Sequence, residues 1–196
     1  HQAEKLALVR DDEDFHIRAA AGAGKTFVAL NYLIGMVNKG KRCLYVARNR
    51  ALCFSVVKWL QKRLLVENSR AAANRRLSHL MLLYDPLEQP RTIKIAKGRI
   101  ETELAENPGF DLVVVDEAHH LYRDSNLRAL VERQIGAGAR RLILSDLSQS
   151  DGREITYPLM QETELTEVVR SSKRVVAGAM QFQLGGAAKL LTQCHH

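Results

Sequence analysis

The sequence predicts an α/β fold, a mostly parallel sheet covered by helices on both faces. Three observations carry that prediction. Apolar runs alternate with stretches of helical periodicity along most of the chain. Two of the runs, DLVVVDEA (111–118) and RRLILSD (140–146), are continuous rather than alternating. Continuous runs mark parallel strands that are buried on both faces. A glycine-rich turn at 19–24 joins the first apolar run directly to the first helical stretch, the order of a strand–loop–helix unit.

Taken in order, FHIRAA (15–20) reads as a short strand. A helix follows from Lys25 to Val37 and is closed by Asn38-Lys39-Gly40. RCLYVA (42–47) is the second strand. Leu52, Val56, Val57, Leu60, Leu64 and Leu65 then recur at helical spacing over 51–65. Residues 67–77 are polar and arginine-rich, and SHLMLLY (78–84) fits a strand or a helical turn equally by periodicity. DPLEQP (85–90) is a turn punctuated by Pro86 and Pro90. A short helix is expected over 98–106, stopped by Asn107-Pro108-Gly109. After the strand at 111–118, residues 125–135 read as a helix ended by Gly136 and Gly138, and 140–146 as the next strand. EITYPLM and TELTEVV are weaker strand signals, and 171–182 reads as helical.

The 196 residues suit one globular domain, or one domain plus a small appendage. Hydrophobic residues at 46% and charged residues at 26% argue against wholesale disorder. Cys43, Cys53 and Cys194 show neither CxxC pairing nor metal-ligand spacing, which points to a reduced, intracellular protein. The longest apolar stretch, Phe27 to Val37, is too short to span a bilayer. The first residue is His1 and the last are Cys194-His195-His196, so both ends read as the boundaries of a fragment.

Residues 19–26 read Ala-Ala-Ala-Gly-Ala-Gly-Lys-Thr, and the part that would cradle phosphate is Ala21, Gly22, Ala23, Gly24, Lys25 and Thr26. Gly22 and Gly24 allow backbone turns that a Cβ would resist, so that successive N–H groups can face phosphate oxygens. The following helix presents its positive end to the same anion. Lys25 would place a charge on the β- and γ-phosphates of ATP, and the Thr26 hydroxyl would ligate Mg2+. One departure from the usual GxxxxGKT is that Ala19 stands at the first glycine. The competing reading is a glycine-containing turn that merely precedes Lys-Thr.

Asp116-Glu117-Ala118-His119 closes the most apolar strand. Adjacent strand residues point to opposite faces, so the two carboxylates can take different roles. Asp116 would hold Mg2+, and Glu117 would orient an attacking water. A solvated acidic turn is the alternative. His119 and His120 read as hydrogen-bonded or exposed histidines rather than as metal ligands.

These residues, in this order, resemble the superfamily 1 helicase-like P-loop ATPases, specifically the first RecA-like domain of UvrD/Rep-type enzymes. Gln2 falls where that family's adenine-reading glutamine sits. Ala47-Arg48-Asn49-Arg50-Ala51-Leu52 looks like motif Ia, which implies that Arg48, Asn49 and Arg50 touch single-stranded nucleic acid. Ser145-Asp146-Leu147-Ser148-Gln149 looks like motif III, which places Gln149 at the γ-phosphate-sensing position. Superfamily 2 DEAH-box proteins carry a Ser-Ala-Thr-like motif there instead. Leu165 to Ser172 looks like motif IV, with Arg170 at the γ-phosphate arginine, although Val168-Val169 replace the usual Asn-Tyr.

The resemblance implies a RecA-like ATPase domain over 1–182, with 183–196 as a tail. It also implies ATP and Mg2+ as cofactors, and DNA binding. Motifs V and VI have no room in the residues that follow, so a second RecA-like domain or a partner protein is expected to complete a motor. The long insertion that many such helicases carry before the acidic motif is here reduced to 66–108.

The formal net charge is +7, and it is uneven. Residues 1–100 hold 19 basic and 8 acidic residues (+11), whereas 101–196 hold 10 and 14 (−4). The basic half suits a polyanionic partner and equally suits a solvated basic face. Tyr45, Trp59 and Tyr84 read as stacking groups or as core packing. Three functions remain open. The first is a nucleic-acid-dependent Mg2+-ATPase. The second is a nucleotide-dependent switch that controls a partner protein without nucleic acid. The third is a small-molecule kinase, which the acidic pair and the Gln149 motif disfavour because they suit attack by water.

Overall fold

A computed structural model describes residues 13–20, 22–96, 98–146 and 155–165. Among these, eight strands form one sheet. They are β1 (Phe15–Ala19), β2 (Cys43–Val46), β3 (Leu80–Leu83), β4 (Arg91–Ala96), β5 (Arg99–Leu104), β6 (Leu112–Val115), β7 (Arg140–Asp146) and β8 (Gln161–Leu165). Their order across the sheet is β5-β4-β3-β2-β6-β7-β1-β8. The six strands from β3 to β8 in that order are mutually parallel. β4 and β5 add an antiparallel hairpin at one edge. The helices are α1 (Lys25–Asn38), α2 (Arg50–Glu67), α3 (Arg70–Leu77), α4 (Ala118–Leu121) and α5 (Ser125–Arg133).

The apolar runs become central strands because both of their faces are covered. Along β6, Leu112 and Val114 pack with α1 and α2 on one side, and Val113 and Val115 pack with α4 and α5 on the other. Helix α1 turns Val28, Ala29, Leu30, Leu33, Met36 and Val37 inward. Each large side chain so buried is worth roughly 1.5–3 kcal/mol relative to exposure. Helix α2 starts at Asn49, whose side chain accepts from the Ala51 N–H at 2.7 Å, and buries Cys53, Val56, Val57, Leu60 and Leu64. Leu65, one of its periodic residues, faces outward instead. Cys43 and Cys53 are buried free thiols, and burial pushes both up to about 12. No helix among the described residues is long and apolar enough to cross a membrane.

Two segments differ from expectation. Residues 99–104 form a strand, not the helix expected over 98–106. Ile100 and Leu104, four apart, suit a helix turn as well as one strand face; the partner strand decides. β4 pairs with β5 from Arg91↔Leu104 to Ala96↔Arg99 and supplies backbone hydrogen bonds that a lone segment lacks. Gly98 (φ 75°) makes the reversal. The polar stretch 67–77 contains α3, capped by Ser69, whose hydroxyl accepts from the Ala72 N–H at 3.3 Å, and it buries only Ala73 and Leu77. SHLMLLY resolves as β3, and residues 163–165 of TELTEVV lie in β8, the rest of that stretch falling outside the described residues. Residues 155–160 of EITYPLM are irregular. The helix expected over 171–182 lies outside the described residues.

Candidate functional site

The site grows from the carboxyl ends of β1, β6 and β7, which lie side by side. Ligands of parallel α/β sheets gather at such ends. After β1 the chain passes Gly22 (φ 82°) and Gly24 (φ 85°), both in the left-handed region that a side chain resists. Gly24 is the residue from which α1 starts. The first-turn N–H groups of a helix lack intrahelical acceptors, so this loop presents donors and the positive end of the α1 dipole together.

Lys25 and Thr26 open α1. Lys25 Nζ donates to the carbonyls of Ala19 (2.7 Å) and Ala20 (3.0 Å) and lies 3.7 Å from Asp146 Oδ2 at the end of β7. Burial lowers the Lys25 pKa, while Asp146, Asp116 and Glu117 pull it back up. The Thr26 hydroxyl donates to Asp116 Oδ2 at 3.2 Å. Asp116 follows β6 and is buried. The Tyr45 hydroxyl donates to the same Oδ2 at 2.5 Å, and the Glu117 N–H donates to Oδ1 at 2.8 Å. Burial and the Asp116 charge hold the Tyr45 phenol far above its ordinary range. The hydroxyl and carboxylate of Thr26 and Asp116 are hard oxygen donors held together beside a phosphate-type loop. They fit Mg2+, which takes one or two protein oxygens and completes its shell with water and phosphate.

Glu117 adopts φ 51°, ψ 39°, a left-handed conformation unusual for a non-glycine residue. Burial, then the neighbouring Asp116, raises its pKa. Its backbone leads at once into α4. There the buried His119 accepts from the Asp146 N–H through Nδ1 at 3.2 Å, which leaves the ring proton on Nε2. The ends of β6 and β7 are thus tied together. His120 stacks obliquely on His119, with ring centroids 4.1 Å apart.

Beside Glu117 opens a cleft of about 840 Å³. Three segments line it: Arg48, Asn49 and Arg50 after β2; Tyr84, Asp85, Arg91 and Thr102 from β3 and the hairpin; and Glu117 with His120. Arg48 pairs with Asp85 at 3.6 Å. The Arg50 guanidinium lies over the Phe54 ring at 4.8 Å. The Asn49 side-chain oxygen is already used as the α2 cap.

The structure therefore gathers Gly22, Ala23, Gly24, Lys25, Thr26, Asp116 and Glu117 into one site and places Arg48, Asn49 and Arg50 on the adjoining cleft. Gln2, Ala21, Gln149 and Arg170 lie outside the described residues. Sequence reasoning missed the anchoring role of Tyr45, the closure of His119 on Asp146, and the place of Arg91 on the cleft. Tyr45 stands alone in an apolar strand, and its hydroxyl was the available signal that a buried acceptor lay opposite. Tyr45 and Tyr84 are buried, and Trp59 packs half-buried, edge-on to Phe27 at 6.1 Å. Core packing is what the structure favours for all three.

Residues 1–145, well over half of the chain, match the family model of the DEAD/DEAH box helicase. Among solved structures, the helicase domain of Pyrococcus furiosus Hef is similar at 16% identity and a TM-score of 0.49, over 83% of this chain and 37% of that one. Bacteroides Pif1 bound to ssDNA is similar at 16% identity and a TM-score of 0.47, over 93% of this chain and 45% of that one. The chain thus spans less than half the length of either structure. No curated protein sequence matches it significantly.

Proposed function

The chain belongs to the DEAD/DEAH box helicase family, and from that premise we propose that it is an Mg2+-dependent ATPase core of the superfamily 1 type whose turnover responds to nucleic acid. One observation carries the reading. A lysine, a hydroxyl and two carboxylates from three separated stretches of sequence converge on a single glycine loop.

Each group has a defined task. The Gly22 to Gly24 backbone and the α1 terminus take the phosphates. Lys25 exchanges the Ala19 and Ala20 carbonyls for phosphate oxygens. Thr26 and Asp116 hold Mg2+, which supplies charge neutralisation on the phosphates when bound. Tyr45 and the Glu117 N–H fix the Asp116 carboxylate. Glu117, with a raised pKa and a constrained backbone, orients the attacking water and accepts its proton. Gln149 and Arg170 complete this reading as γ-phosphate sensors, and Gln2 as the adenine reader. The Ser145-Asp146 motif supports the superfamily 1 assignment within the helicase-like ATPases. The reading also takes 1–182 as one RecA-like unit and a second such domain or partner protein as the source of a further arginine.

The test is ATP hydrolysis by the chain with and without single-stranded DNA or RNA. Lys25→Ala and Glu117→Gln are expected each to abolish turnover, with Glu117→Gln still binding nucleotide. Full turnover in either variant refutes the assigned roles. Turnover that is indifferent to nucleic acid, in a chain that binds none at low salt, supports the protein-partner switch instead.

A further inference from the structure

The hairpin β4–β5 takes no part in the nucleotide site, yet it lines the cleft that opens beside it. Arg91 is the first residue of β4, paired with Leu82 in β3 and with Leu104 in β5, so its backbone is fixed from both sides. Its guanidinium lies over the buried Tyr84 ring, 4.9 Å from the centroid. The Tyr84 hydroxyl is hydrogen-bonded to Thr102 Oγ1 at 2.7 Å, which locks the ring that carries the guanidinium. Arg91 Nε is buried and has no hydrogen-bond partner among the described residues. Arg91 lines the cleft, and an arginine whose guanidinium is carried over a locked ring offers an anion a preorganised fork of donors. Arg50, lining the same cleft, is carried likewise on Phe54, whose ring meets Tyr84 edge-on at 6.2 Å, whereas Arg48 is partly neutralised by Asp85.

We infer that Arg91 is a phosphate anchor for single-stranded nucleic acid. The strand lies in the cleft that Arg50 and Arg91 line, gripped by its phosphodiester backbone rather than read at its bases. This inference rests on the nucleic-acid-dependent reading above and adds a residue of the β4–β5 hairpin to it. The ring faces of Tyr84 and Phe54 are occupied by guanidinium groups, which argues for backbone contact over base stacking. An acidic polypeptide is the competing occupant; guanidinium forks suit carboxylate as well, but two ring-supported guanidinium groups lining one cleft suit the regularly spaced phosphates of a single strand. Because Glu117 lines the same cleft, the strand and the carboxylate share one cavity, which gives a physical route for coupling.

The experiment titrates the full chain with a fluorescently labelled, mixed-sequence single-stranded oligonucleotide across a salt series. Arg91→Ala is expected to weaken binding by about 5- to 20-fold. It is also expected to lower the slope of log K against log salt by about 0.7, one phosphate contact on a single strand. Arg91→Lys keeps the charge and should retain the slope while losing part of the affinity. Arg63→Ala, an exposed charge on α2 outside the cleft, should change neither by more than about twofold. Should Arg91→Ala fail to fold by circular dichroism, phenylglyoxal footprinting of the unmutated chain replaces it, and the oligonucleotide must protect Arg91. If the chain binds and Arg91→Ala matches Arg63→Ala, or if no protection is seen, the anchor is refuted and the nucleic-acid reading stands. If the unmutated chain binds nothing at low salt, that reading fails and this inference with it. Displacement of the oligonucleotide by polyglutamate at equal charge concentration overturns the choice of occupant.

Discussion

Tyr45→Phe removes one oxygen atom from the centre of the protein, and its consequence can be worked out from the surroundings of Asp116. The Asp116 carboxylate is buried and accepts three hydrogen bonds, from Tyr45, Thr26 and the Glu117 N–H. The Tyr45 bond is the shortest, at 2.5 Å, and ends on Oδ2, which also accepts from Thr26. Phenylalanine fills the same ring space, so cavity formation contributes little and the main loss is the hydrogen bond itself. Hydrogen bonds to buried charged groups are worth about 1.5–3 kcal/mol, against about 0.5–1.5 kcal/mol for neutral pairs. Tyr84→Phe is the built-in comparison, because it removes a hydroxyl from a neutral pair with Thr102 at 2.7 Å. At this chain length about 2 kcal/mol corresponds to roughly 4–8 °C in Tm. Thermal unfolding followed by circular dichroism is expected to give Tyr45→Phe a loss of that size and Tyr84→Phe about half of it. In an Asp116→Asn background the Tyr45→Phe cost should fall towards that of Tyr84→Phe, because the acceptor is then neutral. Equal losses for the two tyrosines, or a Tyr45→Phe cost unchanged in the Asp116→Asn background, would refute the claim that Tyr45 secures a charged carboxylate.

Glu117→Gly relieves a non-glycine residue at φ 51°; turnover should vanish while Tm stays level or rises by a few degrees, and a clear fall in Tm contradicts stored backbone strain. His16 is buried, donates from Nδ1 to Glu162 Oε1 (3.2 Å), shares a hydrogen bond with Ser145 Oγ through Nε2 (2.7 Å), and has its pKa lowered chiefly by burial, against the opposing pull of Glu162. A lowered folded-state pKa means that the unfolded chain takes up more protons, so this contribution is complete above pH 6.5 and is lost as pH falls below it. Between pH 7 and 5.5, Tm should therefore drop more steeply in the unmutated chain than in His16→Gln, and parallel curves would remove His16 from the account. Leu33→Ala, in the fully buried middle of α1, should cost about 2–5 kcal/mol by urea unfolding, and a loss below about 1 kcal/mol would mean that α1 is not packed as described.

What could be read in advance was local. The continuous runs of β6 and β7 identify buried parallel strands, because covering both faces requires apolar residues at every position. The Gly22-Ala23-Gly24-Lys25-Thr26 stretch reveals its loop, because left-handed backbone needs glycine. The hairpin was not legible. Its strands lie at the sheet edge with mostly half-buried or exposed residues, and their apolar spacing suits two periods. Helix α3 was missed for a related reason, since only Ala73 and Leu77 of its eight residues are buried.

By itself, then, the sequence determined the α/β class, the phosphate-type loop and the two carboxylates, because each is written in neighbouring residues. Tertiary structure alone decided which distant groups complete them. Tyr45 reaches Asp116 across 71 residues, His119 meets Asp146 across 27, and His16 bridges Ser145 and Glu162 across 129 and 146. Strand order sets those meetings. β6 lies between β2 and β7, and β1 lies between β7 and β8, so residues far apart in the chain become next neighbours at one end of the sheet. Sequence periodicity says which face a residue occupies; only the assembled sheet says what stands opposite.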